Sequence, residues 1–266
     1  MPGGSFGRLD RFEHFMGGVA DGAWAATGVG QVATISFTSV NEGSMVQTLD
    51  EPGGILAVTT DTGDNDNWFG FVGTFKPADG GMAMEARLKV GSVAAVKVAA
   101  WVGFAETLSL TTPVMPFETA TTTTTYNGTG GMVGFGFDSD ATAIHWRFGA
   151  GDGGAALANK AGPGNGSGLA NGAAGTALGI IADKQSLTAD RWWLFRVEVT
   201  PAGYARGYFS DTGSTDDLVL VGETTAVLGT TDVFHATVGI ENRDGGAEVL
   251  ELDYLGWQGW VDWAAN

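Results

Sequence analysis

The chain has 266 residues, 44 of them Gly, with 30 Asp plus Glu against 13 Lys plus Arg, nine Trp and no Cys. At roughly 100–200 residues per domain this is enough for one large domain or two small ones, and a hydrophobic fraction of 44% excludes global disorder. A formal charge of −17 excludes a general binder of phosphate backbones, and the missing Cys excludes disulfide frameworks, thiolate metal sites and cysteine nucleophiles.

Residues 1–30 are rich in Gly and aromatics and lack strand alternation. Phe6, Leu9, Phe12 and Phe15 recur every three residues, which suits a turn or two of helix or an arm lying on another surface. The opening MPGGSFGRLDRFEHFMGG has no continuous apolar core of a secretory signal, and no window reaches ~18 apolar residues. A soluble chain without a membrane partner is therefore expected. From residue 31 onward short β-type segments dominate: 31–39, 54–60, 67–75, 82–90 and 95–105, then 131–138, 142–149, 191–199, 203–210, 217–222, 234–241 and 248–257. The segment 82–90 is the clearest, with Met82, Met84, Ala86, Leu88 and Val90 on one face and Glu85, Arg87 and Lys89 on the other. Two stretches break the rhythm. Residues 111–131 are Thr-rich, and 149–179 hold 11 Gly in 31 residues, a composition that cannot fill a core and reads as a long surface loop. The sequons at Asn127 and Asn165 read as products of these Gly- and Thr-rich stretches. There is no internal repeat. The expected architecture is all-β, an antiparallel two-sheet sandwich or jelly roll over 31–257, with an N-terminal arm (1–30) and a Trp-rich tail (258–266).

Candidate chemistry is sparse. His14, His145 and His235 stand in unrelated contexts with no zinc spacing, and no G-x-S-x-G elbow is present. Paired acids on a sandwich would suggest glycoside hydrolysis. Glu251-Leu-Asp253-Tyr-Leu-Gly256 begins like the E-x-D-x-x-E run of laminarinase-type sandwich glucanases, but Gly256 replaces the final Glu. Asp61, Asp64 and Asp66 supply oxygens at a spacing that could wrap Ca²⁺, or else form an Asx-rich turn between two strands. Trp192 and Trp193 are adjacent, so a strand points them to opposite faces and one of them fits a core. Trp257, Trp260 and Trp263 crowd the end of the sequence, where they are expected to dock on a neighbouring surface or subunit.

Laid out in order, these segments resemble a known family. Gly54–Asp66, Phe75-Lys-Pro77, Met84–Val90, Val133–Asp138, Trp193–Val199, Gly203–Phe209 and Leu252–Trp257 follow one another as in the concanavalin A-like lectin/glucanase sandwich, and more narrowly as in its structural version in tailed-phage virion proteins. The resemblance covers about residues 50–257. It implies a non-enzymatic capsid decoration protein on the virion surface, made in the host cytoplasm. Its partners would be the major capsid protein and sister copies, with a trimer favoured. The contact residues expected from the aromatic spacing of the arm and the Trp cluster, and not from the resemblance, are Phe6, Leu9, Phe12, Phe15, Trp257, Trp260 and Trp263. The wider fold also admits a carbohydrate-binding module of a tail fibre. No cofactor is expected beyond the Ca²⁺ considered above, and no nucleic acid.

Overall fold

The computed structural model describes residues 8–14, 22–24, 27–32, 35–41, 43–48, 54–91, 97–106, 113–120, 123–126, 130–141, 146–157, 159–161, 179–180 and 191–260. Two antiparallel sheets pack face to face. The ten-stranded sheet runs, edge to edge, through Asn159–Ala161, Val219–Thr224, Ala205–Ser210, Trp193–Val199, Met82–Val90, Val249–Trp260, Ile55–Thr59, Gly43–Thr48 and Gly22–Trp24. Its tenth strand, Arg8–His14, pairs with Val249–Trp260. The nine-stranded sheet runs through Ala155–Ala156, Arg147–Asp152, Met132–Asp138, Val98–Ala105, Phe234–Asn242, Asn67–Phe75, Ile35–Val40 and Thr27–Val32, with Gly179–Ile180 beside Arg147–Asp152. No helix among the described residues is long and apolar enough to cross a membrane.

Alternation decides which residues face inward. Along Met82–Val90 every second side chain is buried, in the phase read from the sequence. The inner faces meet in one large core. At one end it is aromatic: Trp146 lies 4.5 Å from Phe195 between ring centres, and Phe135 lies 5.2 Å from Phe148 and 5.1 Å from Phe195. Phe148 fits because Gly207 and Gly222 lie opposite it; a Cβ on Gly207 would come within 2.3 Å of the ring.

Several expectations change. Residues 8–14, assigned to an arm or a helical turn, form a strand of the ten-stranded sheet, and 27–32 and 22–24 are strands as well. The segment 31–39 is not one strand: Thr27–Val32 and Ile35–Val40 pair antiparallel as a hairpin. The last strand extends through Gln258 to Trp260, into the stretch assigned to a tail. Within the 149–179 excursion, Ala155–Ala156, Asn159–Ala161 and Gly179–Ile180 join the sheets, while 162–178 lie outside the described residues. Residues 113–120 and 123–126 of the Thr-rich stretch also have a definite place. Phe117–Ala120 and Thr123–Tyr126 form a hairpin that covers the outer face of the nine-stranded sheet. Under it lies a second core of Phe69, Ala99, Trp101, Met115, Phe117, Tyr126 and Met132. This third layer explains why Val98–Ala105 and Met132–Asp138 are buried at every position.

Candidate functional site

Val249–Trp260 lies beside Met82–Val90 in the ten-stranded sheet, so the acids singled out in the sequence come to its outer face. Glu251 sits 2.6 Å from the Lys89 ammonium, and Asp253 sits 2.6 Å from Arg87. A β-bulge between Leu252 and Tyr254 makes this arrangement: Asp253 is the extra residue, and it leans to Arg87. The bulge also changes the phase of burial. Before it Leu250 and Leu252 are buried; after it Leu255 and Trp257 are, whereas Tyr254 between them is half-buried. The Tyr254 hydroxyl donates to Glu85 at 2.6 Å, and burial together with this bond holds the phenol well above its ordinary pKa. Each acid of the glucanase-like run is thus held by a cation, and Gly256 occupies the third position.

The face continues across Trp193–Val199 and Ala205–Ser210. Arg196 pairs with Glu198 at 2.8 Å, and Arg206 pairs with Glu223 at 2.7 Å. Of the adjacent tryptophans, Trp193 is in the core and Trp192 is half-buried, with the Arg87 guanidinium 4.7 Å and the Lys89 ammonium 5.3 Å from its ring centre. Neither indole is therefore an open stacking platform on both faces.

Beside this charged field is a cleft of about 320 Å³. The register explains it. Arg206, Glu198, Ala83 and Gln258 face one another across four adjacent strands, and Ala83 is the only short side chain in that row. The gap above its methyl is bounded by Glu198 and Gln258. Its end is closed by the turn at Thr200–Pro201 and by Gly80 and Gly81. Gly81, at φ +91, allows this wall to form, since a Cβ there would lie 2.8 Å from the Val199 carbonyl oxygen. The sequence reading did not find Ala83, Glu198, Arg206 or Gln258 as a group. Glu198 and Arg206 fell within expected strands, whereas Ala83 carries no polar group and Gln258 fell in the stretch assigned to a tail.

The other predicted sites are placed differently. Asp61, Asp64 and Asp66 do not converge. Asp66 is buried, accepting from the Gly63 amide at 2.7 Å and from the Asn41 amide, while Asp61 accepts from the Thr62 amide and Asp64 is exposed. These residues build an Asx turn and do not fit a cation cage; among the described residues no three acidic or imidazole side chains form one. Trp257, expected at an interface, is 6% exposed and belongs to the main core, because the bulge turns it inward. Leu9, Phe12 and Trp260 stand on paired strands, opposite Gly259, Gly256 and Arg8. Phe6, Phe15, Trp263, His145 and the two sequons lie outside the described residues. His235 donates from Nδ1 to the Gly73 carbonyl at 2.7 Å.

A buried ionic cluster that the sequence did not announce lies on the opposite sheet. Arg243 sits 2.7 Å from Glu241, 3.2 Å from Asp138 and 3.7 Å from Glu118 of the covering hairpin. Glu241 also accepts from the Asn67 amide, which in turn donates to the Pro113 carbonyl. Burial pushes the Glu241 carboxyl up to about 7, against the opposing pull of Arg243 and Asn67.

No protein-family model matches the chain, and no curated protein matches it. Solved structures do. A protein of unknown function from Shewanella oneidensis MR-1 superposes with a TM-score of 0.56 at 12% identity, covering 98% of this chain and 90% of that one. The seed lectin of Lotus tetragonolobus superposes with a TM-score of 0.50 at 6% identity, covering 96% of this chain and 100% of the lectin. At these identities the likeness is one of fold, and the fold of this chain is the antiparallel concanavalin A-like lectin sandwich.

Proposed function

We propose that this chain is a non-enzymatic carbohydrate-binding module. The observation that supports this reading is the outer face of the ten-stranded sheet. It carries paired carboxylates, guanidinium groups and an amide around a cleft, on a sandwich shared end to end with a seed lectin. Planar groups with two donors or two acceptors match pairs of neighbouring sugar hydroxyls. The two acids of the glucanase-like run are each engaged by a cation, which favours binding over hydrolysis. A printed glycan array probed with the purified protein tests the proposal. Saturable binding that a free sugar competes away is the expected result; background signal across the whole array would overturn it.

The narrower reading, a capsid-surface component of a tailed-phage particle with the major capsid protein and sister copies as partners, is supported by the order of the motifs across residues 50–257. Mass spectrometry of purified particles tests it. Copy numbers in the hundreds are expected on that reading, and absence from the particles would remove it.

A further inference from the structure

We infer that the cleft above Ala83 is the sugar subsite, and that it takes a neutral saccharide of one or two rings. The inference rests on the carbohydrate-binding reading and adds to it a place, a size and a charge.

The place follows from the row Arg206–Glu198–Ala83–Gln258. Glu198 and Gln258 stand two strand spacings apart, about 10 Å, on either side of a methyl floor. A ring lying on that methyl meets a carboxylate on one edge and an amide on the other. The carboxylate accepts from hydroxyls; the amide both donates and accepts. Pro201 adds an apolar surface at the closed end, suited to the C–H side of a ring. The size follows from the volume: 320 Å³ lies at the low end of the range for small-molecule sites, which span about 300–1,000 Å³.

The charge follows from the pairing. Glu198 has Arg196 at 2.8 Å, and Arg206 has Glu223 at 2.7 Å. Each ion at the cleft is matched within the sheet, so the site offers directed hydrogen bonds without a net local charge. The whole chain, at −17, repels anions at long range. Sialylated or sulfated glycans are thereby disfavoured, and neutral hexoses and their dimers are the class that fits.

The test uses the same array, carrying neutral and anionic glycans, followed by titration calorimetry with the strongest hit. Ala83→Phe fills the floor from an outward position, and Gln258→Ala removes the amide; unchanged thermal melting of each variant shows that it is folded. The expected result is binding by the wild type to neutral glycans, loss of that binding in Ala83→Phe, and about tenfold weakening in Gln258→Ala. Should Ala83→Phe prove unable to fold, Gln258→Ala alone decides. Wild-type binding that both variants retain would overturn the assignment of the cleft while leaving the carbohydrate-binding reading intact. Binding confined to anionic glycans would overturn the inferred ligand class. No binding by the wild type would overturn the function and the subsite together.

Discussion

On the ten-stranded sheet Ala83 stands between Glu198 and Gln258, and on the nine-stranded sheet Ala99 stands between Asp138 and Glu241. Both rows interrupt long polar side chains with a methyl group and so leave a gap on the outer face. Over Ala99 the chain fills the gap itself. Arg243 reaches both acids, residues 113–120 bring Met115 and Phe117 into the same cluster as Ala99, and Ala99 is fully buried. Over Ala83 the gap remains as the cleft, and Ala83 is only half-buried. The same local pattern thus serves two ends. Where the chain covers it, the gap becomes part of the core; where the chain leaves it open, it stays a cleft on the outer face, lined by polar groups.

Three experiments break or sharpen that contrast. The largest effect is expected from Trp101→Ala, on the covered side. The indole stacks edge-on with Phe117 at 5.3 Å and donates to Thr237 at 2.7 Å, so its loss should cost about 3–5 kcal/mol in chemical denaturation. A loss below about 1 kcal/mol would mean that the covering hairpin contributes no core.

Next comes Glu241→Gln, read against pH. The carboxyl is raised from 4.5 to about 7 in the folded state, so the folded protein holds a proton there that the unfolded chain has released. Its contribution to stability is complete below pH 4.5 and declines as pH rises through 7. The wild type should therefore lose stability relative to the Gln variant across this window, by on the order of 3 kcal/mol. Parallel melting curves from pH 4.5 to 8 would refute this.

The smallest effect belongs to the open face. A double-mutant cycle on Lys89 and Glu251 should give a coupling of about 1 kcal/mol or less, weakening as salt is added. Coupling well above that, insensitive to salt, would make the open face as structural as the covered one.

Much of the sandwich was legible because alternation is a local signal. Met82–Val90 and Asn67–Phe75 begin and end where the sequence reading puts them. The covering hairpin escaped that reading because its anchors, Phe117 and Tyr126, are isolated among Thr and Pro and bind a surface made by distant strands. The phase change at Asp253 escaped it too: a bulge depends on the partner strand, and it turned Trp257 from an expected docking residue into a core residue. The cleft was illegible for a similar reason. Ala83, Glu198 and Gln258 lie far apart in sequence, and each is an ordinary outward position on its own strand until register aligns them.

The strand Val249–Trp260 has a further consequence, in the order of assembly. It lies between Met82–Val90 on one side and, in succession, Ile55–Thr59 and Arg8–His14 on the other. The middle of the sheet is therefore synthesised after every other strand in it. At about 5–20 residues per second, Met82–Val90 waits on the order of ten seconds or more on the ribosome for its neighbour. During that time the nascent chain carries unpaired strand edges on both sides of the missing centre, each able to pair with another chain. Cooperative folding must wait for residue 260, and shielding those edges until then is a natural task for a chaperone that recognises extended, half-apolar segments.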